Sequence, residues 1–373
     1  MKKIIVFSYL LTSLLFLCFS FLFVDPNLIY IKYLYSGFAF TNRAISGIMY
    51  LILILLMFFQ FLFFLKIVKT KEIDGKFSFL LIGVVSFILL FSYPAVLSYD
   101  IFNYFSTAKV AFHYFENPYI IMPIELVGDP MLLFTQAANK LALYGPFWIS
   151  LTGFPFLLGL NNFILTIINL KILVIIFYFL TSYLVHKISK SVYSLAFFAL
   201  NPLVIIETLI SGHNDIVMAF FALSSLYLLQ KKKIFLSILF LLLSILIKYA
   251  TLFLVPVFCY FLILKIKGKL INLQKLYLFY ALSMFLIFLL SSFREEIYPW
   301  YAVWFLVFVS LTNNKLLKNV SIVFSFGLLL RYLPYMVLGT YFGPTPYIKI
   351  AVTFIPALLY ALSLKAKKYV KAS

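Results

Sequence analysis

Four short stretches of this chain gather side chains able to do chemistry, and each lies against an apolar run. In SYDIFNY (98–104), Asp100 follows the apolar residues 77–97 and is ringed by Tyr99, Asn103 and Tyr104. At helical spacing Asn103 and Tyr104 share a side with Asp100. A carboxylate so placed can take a proton from a hydroxyl. The bland alternative is a cap for the helix that follows, since aspartate is favoured there.

The second stretch, NPLVIIETLISGHND (201–215), places Glu207, His213, Asn214 and Asp215 at one span end. A helix start after Gly212 would account for Asn214 or Asp215, but four polar groups at a membrane rim form a candidate site. In SILIKYATLFLVP (244–256), Lys248 is the only charge between Lys233 and Lys265. It can snorkel to the interface or turn inward to hold a phosphate. In SSFREEIYPWY (291–301), Arg294 can fork onto phosphate oxygens or pair with its neighbouring glutamates. Tyr298, Trp300 and Tyr301 beside it can be an interfacial belt and no more.

The setting for these residues is a membrane. Of the 373 residues, 65% are hydrophobic and only 11% charged, with a mean hydropathy of +1.11, whereas soluble domains run about a quarter charged. Apolar runs long enough to cross a hydrocarbon core of about 30 Å recur from end to end. The formal charge of +19 does not point to nucleic acid. Its lysines sit in short clusters between apolar runs (Lys2-Lys3, 66–76, Lys231 to Lys233, 265–275, Lys315 with Lys318, 365–371), the distribution of cytoplasmic loops facing anionic lipid.

Anchoring those clusters inside predicts an all-α transmembrane bundle of about twelve spans: 4–24, 46–66, 77–97, 147–161, 163–186, 214–230, 234–247, 249–264, 275–293, 299–312, 319–332 and 345–364. Residues 1–24 read as a retained span, because no small-x-small cleavage site precedes Val24-Asp25. Both termini then lie in the cytoplasm. Residues 192–212, interrupted at Asn201-Pro202, read as a re-entrant pair of half-helices, with a thirteenth crossing as the rival. The expected division is an N-terminal pair (1–76), a catalytic module (77–312) and C-terminal helices (313–373).

In this topology only Glu72 and Asp74, of eleven acidic residues, fall inside. The rest gather at the outer face, which points to chemistry there. The long connection 98–146 is expected to carry an interfacial helix, with Phe102, Phe105, Phe112 and Phe115 toward lipid and Asn103, Ser106, Lys109 and His113 toward polar surroundings.

Cys18 and Cys259 lie in apolar stretches, so no disulfide framework is expected. His113, His186 and His213 show no metal-ligand spacing; a carboxylate-bound hard cation stays open. No glycine-rich phosphate loop is present, so ATP and nucleotide sugars are not expected substrates.

The order SYD, ENPY (116–119), YGP (144–146), GHND (212–215), IKYA (247–250) and YPWY (298–301) resembles the GT-C superfamily of integral membrane glycosyltransferases. The closest likeness is to polyprenyl-phosphate-mannose-dependent mannosyltransferases of bacteria and of GPI-anchor synthesis, over about residues 95–305. The resemblance implies transfer of a hexose, mannose by likeness, from a polyprenyl-phosphate donor to a glycan or glycolipid acceptor, with inversion and no required cofactor. It implies Asp100 as general base. Lys248, Arg294 and His213 would meet the donor phosphate. Tyr99, Asn103, Tyr104, Asn117, Tyr119, Tyr144, Glu207, Asn214, Asp215, Tyr298, Trp300 and Tyr301 would shape the cavity. Phe102 stands where some members carry the second aspartate of an Asp-x-Asp pair, which leaves a divalent cation's role open.

The competing class is a multi-span transporter or lipid-linked-sugar flippase. Such a protein would hold its polar residues near the midplane and often shows an internal repeat, and no repeat is evident in this chain. The topology makes a direct prediction. Cysteine-accessibility labelling should find residues 98–146 and 294–301 outside and Lys231 to Lys233 inside; a label at residue 129 reached only from the cytoplasm would overturn both topology and site.

Overall fold

The computed structural model describes residues 1–28, 37–70, 72–133, 135–294 and 296–372, with the side chains of Arg294 and of residues 365–372 outside the description. The described residues form helices and no strand. That follows from composition, because backbone groups in hydrocarbon must be hydrogen-bonded within the segment that carries them.

The elements in order are α1 (Lys2–Phe21), α2 (Arg43–Lys69), α3 (Gly75–Leu90), α4 (Asp100–Phe112), α5 (Pro146–Leu158), α6 (Phe163–Ser189), α7 (Val192–Ala199), α8 (Pro202–Ile210, ending in a π turn), α9 (Asp215–Gln230) and α10 (Ile234–Ile245). They continue with α11 (Tyr249–Ile266), α12 (Leu273–Arg294), α13 (Pro299–Leu311), α14 (Lys315–Leu330), α15 (Leu333–Leu338) and α16 (Thr345–Ala372).

Seven helices among the described residues are long and apolar enough to cross a membrane, or eight if the bent pair α7–α8 counts as one. The expected twelve full spans are therefore not reached. Helices α3, α5, α9, α10 and α13 coincide with expected spans but are only 10–17 residues long, short of the roughly 20 that a vertical crossing takes. The interruption at Asn201-Pro202 does divide two helices, bent by 55°. Asn201 caps the second, accepting a bond from the Leu203 amide at 3.0 Å, and Pro202 occupies the first turn, where its missing N–H is no loss.

The centre of the molecule is made from that bent pair, from the start of α9 and from α13. Every residue from Ser194 to Ala219 is buried, as is every residue of α13 from Val303 onward. These helices are apolar all round because other helices, not lipid, surround them.

The reading of residues 101–115 as a lipid-facing interfacial helix is corrected. Helix α4 is buried from Ile101 to Val110. Phe102 and Phe105 pack on Phe163 with ring centroids 5.9 Å apart, and Phe105 also meets Phe156. A cover of protein explains the difference: the described residues between 113 and 145 fold back over α4, pinned by a Lys109–Asp129 ion pair of 2.7 Å and a Tyr114 hydroxyl donating to Asp129 at 2.8 Å. Asp129 is thus buried, and Val127, 93% exposed, is the accessible position for a label in this loop.

Two contacts fix the ends of α4's surroundings. Lys171, fully buried in α6, donates to the carbonyls of Leu89 and Ser92 at 2.7 and 2.8 Å and to the Ser92 hydroxyl at 2.8 Å. All three contacts lie where α3 ends and its last carbonyls lack partners within the helix. At the other side the YGP motif lies backbone to backbone on the turn after α10: the Gly145 amide donates to Ile247 and the Phe147 amide to Leu246. A Cβ at Gly145 would overlap the Leu246 carbonyl. Gly145→Ala is therefore expected to destabilise the protein by about 1–3 kcal/mol, read as a lowered Tm in detergent. Gly83→Ala, where a Cβ would make only an ordinary contact with Phe179 at 3.9 Å, is the comparison that should cost less.

Candidate active site

Asp100 opens α4 as its first helical residue. The N-cap is Tyr99, and no side chain caps this helix, so the capping alternative for Asp100 does not hold. Its side chain is 25% exposed and lies 3.4 Å from Nδ1 of His213. On the far side of the same imidazole, Nε2 lies 3.4 Å from Glu207. Burial alone would raise the Asp100 pKa, but His213, then Lys248 and Asn103, outweigh it and hold it below the usual value. For His213 burial works downward, and the two carboxylates carry it up to about 9 instead. At neutral pH the pair is a carboxylate facing an imidazolium.

The imidazole is further fixed by stacking on Trp300, 4.2 Å between centroids and 15° between planes, with Tyr298 stacked beyond at 4.4 Å. Glu207 is fully buried and accepts the Tyr332 hydroxyl at 2.9 Å. Tyr104 does not reach the cavity: its hydroxyl accepts the Asn214 amide at 3.2 Å, and its ring packs on Tyr144 and Trp148. Asn214 starts α9 without a side-chain cap, and its side-chain amide, buried, finds no hydrogen-bond partner among the described residues.

Asp100 faces a cavity of about 210 Å³. Tyr99 and Asn103 line it from α4 and its N-cap and Gln136 from the connection that follows, while Arg43, Arg331, Lys349 and Glu296 bring charge to it from other elements. Tyr99 donates to Asp25 at 3.1 Å, and Asn103 accepts the Ala137 amide at 3.3 Å. Glu296 accepts from Arg331 at 2.9 Å and from Lys349 at 2.9 and 3.2 Å. The Arg43 guanidinium rests on Gly339, whose φ of +71° suits glycine and where a Cβ would meet it at 2.6 Å.

Several expected site residues stand elsewhere. Lys248 does not line this cavity; it pairs with Asp215 at 2.8 Å and lies over the Tyr301 and Trp304 rings. Asp215 also accepts the Trp304 indole N–H. Asn117 is exposed and closes a turn onto the Tyr119 amide, and Tyr119 donates to the Tyr144 carbonyl at 2.8 Å. The Arg294 side chain lies outside the described residues. No three His, Cys, Asp or Glu side chains among the described residues are placed to hold a metal ion together.

What sequence reasoning missed is the cationic wall. Two of the three arginines of the chain, Arg43 and Arg331, line the cavity. Arg331 sits inside a stretch read as a span, and an ionisable residue at such a position is itself a signal of function.

The Lys248–Asp215 pair carries its own expectation. Lys248→Met leaves a buried carboxylate without its cation, which typically costs 3–5 kcal/mol, so a clear fall in Tm in detergent should result. Adding Asp215→Asn should recover part of the loss. A Lys248→Met protein as stable as wild type but unable to bind donor would return this lysine to the phosphate.

The family model described as "Alpha-(1->6)-mannopyranosyltransferase, N-terminal domain" matches residues 29–264. No curated protein and no solved structure matches this chain.

Proposed function

The chain belongs to the alpha-(1->6)-mannopyranosyltransferase family, a membrane glycosyltransferase by its reaction class and its apolar helices, and we propose that it moves mannose from a polyprenyl-phosphate donor to a glycan or glycolipid acceptor at the outer face of the membrane. The observation that carries this reading is the cavity in which Asp100 faces Arg43, Arg331 and Lys349. A base on one side and cations on the other are what transfer from a sugar phosphate to a hydroxyl needs.

In this mechanism the acceptor oxygen attacks the anomeric carbon as its proton passes to Asp100. The bond from that carbon to the phosphate oxygen breaks, and the electron pair leaves with the lipid phosphate. The sugar passes through an oxocarbenium-like state, so the acceptor hydroxyl becomes acidic as the new bond forms. A carboxylate of ordinary or lowered pKa is then a sufficient base. Arg331 and Lys349 meet the charge that grows on the phosphate, which removes the need for a general acid. His213 and Glu207 are positioning residues, holding the Asp100 carboxylate toward the cavity.

A single displacement inverts the anomeric centre. An α-(1→6) product, the linkage in the family description, then requires a β-linked donor and a primary hydroxyl on the acceptor. The reading assigns donor phosphate to Arg331 and Lys349, in place of the Lys248, Arg294 and His213 expected from sequence.

Purified protein given polyprenyl-phosphate mannose and a mannoside acceptor should release lipid phosphate. In Asp100→Asn that release should fall by about 10²–10⁴, together with a lowered Tm because His213 loses one of its two carboxylates, so turnover is read on protein shown to be folded. Turnover above about a tenth of wild type would remove Asp100 from the role of base.

A further inference from the structure

Arg331 and Lys349 are not free cations awaiting a phosphate: Glu296 already sits between them, within 2.9 Å of each. Two cations converging on one carboxylate define an anion position, and the carboxylate also cancels part of the charge that an incoming anion would meet. Glu296 reaches the cavity from the connection between α12 and α13, while its two partners come from the end of α14 and the first turn of α16. All three side chains line the same cavity as Asp100.

The charges can be followed through the reaction. Among the described residues that line the cavity, Arg43, Arg331 and Lys349 against Asp100 and Glu296 leave one net positive charge. A sugar–phosphate–lipid is a phosphodiester with one negative charge, so the bound donor is balanced. Transfer breaks the sugar–oxygen bond and turns the diester into a monoester, which carries about −1.5 to −2 at pH 7. The acceptor's proton is then on Asp100, and the balance holds for that moment. Once Asp100 gives its proton to water, its negative charge returns to a cavity whose phosphate has itself gained one, and the lipid phosphate is held less tightly than at the moment of transfer.

We propose that Glu296 is a specificity-determining residue that matches the cavity to a singly charged phosphodiester and loosens its hold on the doubly charged lipid phosphate left by transfer. The inference rests on the donor reading above. Without Glu296 the cavity would carry two net positive charges, a match for the product rather than for the substrate. Glu296 thus gives up part of the transition-state stabilisation that a bare Arg–Lys pair would supply, in exchange for turnover.

The test compares wild type, Glu296→Gln and Glu296→Asp, each purified whole, with polyprenyl-phosphate mannose as donor. Inhibition by added polyprenyl phosphate is measured together with the time course of product over the first few turnovers. Glu296→Gln should bind polyprenyl phosphate about tenfold tighter, the order expected for one unit charge in a partly screened site. It should also show a first turnover that outruns the later ones, as release becomes limiting, with kcat and KM falling together. Glu296→Asp, which keeps the charge, should return inhibition toward wild type. If wild type uses this donor but Glu296→Gln binds polyprenyl phosphate no tighter and shows no burst, Glu296 has no such role and the donor reading stands. If Glu296→Gln is inactive through misfolding and Glu296→Asp, although folded, is inhibited as strongly as a folded Glu296→Ala, charge is not what matters and the inference fails. If wild type releases no lipid phosphate from this donor, the donor reading fails and takes the inference with it.

Discussion

One imidazole organises the centre of this protein. His213, almost fully buried, lies between the carboxylates of Asp100 and Glu207, 3.4 Å from each. A buried charge is stabilised only when its partners are close, so this arrangement ties together the start of α4, the π turn of α8 and the entry to α9. Its stack on Trp300 adds α13, and the Tyr332 hydroxyl on Glu207 adds the boundary of α14 and α15. Helices that a hydropathy profile would treat as interchangeable are thereby held in one relative order.

The same arrangement gives Asp100 its character. A carboxylate at a helix start is favoured by the dipole, and an imidazolium behind it keeps it ionised. The exposed quarter of its side chain is then free to face the cavity. The supports are placed behind the carboxylate and the substrate space in front, which is how a general base is both fixed in direction and left accessible. Lys171 serves the approach to this point, closing the end of α3 just before the chain turns through Pro94 and Ser98 toward Asp100.

The opposite wall comes from far along the chain. Arg331 and Lys349 lie beyond residue 264, where the family match ends, and Arg43 lies near its start. The cavity is therefore shared between the matched segment, which carries the carboxylate, and the helices after it, which carry most of the positive charge. The close packing of α14 on α16 that aligns Arg331 with Lys349 depends on Gly327, where a Cβ would overlap the Thr353 backbone. Small residues at such crossings let helices approach in the absence of a hydrophobic drive between them.

Much was legible in the sequence because it depends on composition or on neighbours in the chain. Apolar runs required helices, Asn201-Pro202 marked the bend, and the reaction class followed from Asp100, ENPY, YGP, GHND and YPWY taken in order. The GHND cluster and Asp100 do meet, although nothing local joins residue 100 to residue 213. Other features required the tertiary structure. Hydropathy cannot distinguish lipid from protein as the neighbour of a phenylalanine, so α4 read as interfacial until residues 113–145 covered it. Nor can it separate a full span from an apolar helix of 13 residues enclosed by others, such as α13. The partner of a lysine is equally invisible along the chain: Lys248 had the isolation of a phosphate ligand, yet Asp215 holds it. Arg331 and Lys349 sat unremarked at the ends of apolar runs, because a cation's role is set by what it faces, and the one carboxylate they share, Glu296, lies 35 and 53 residues away from them.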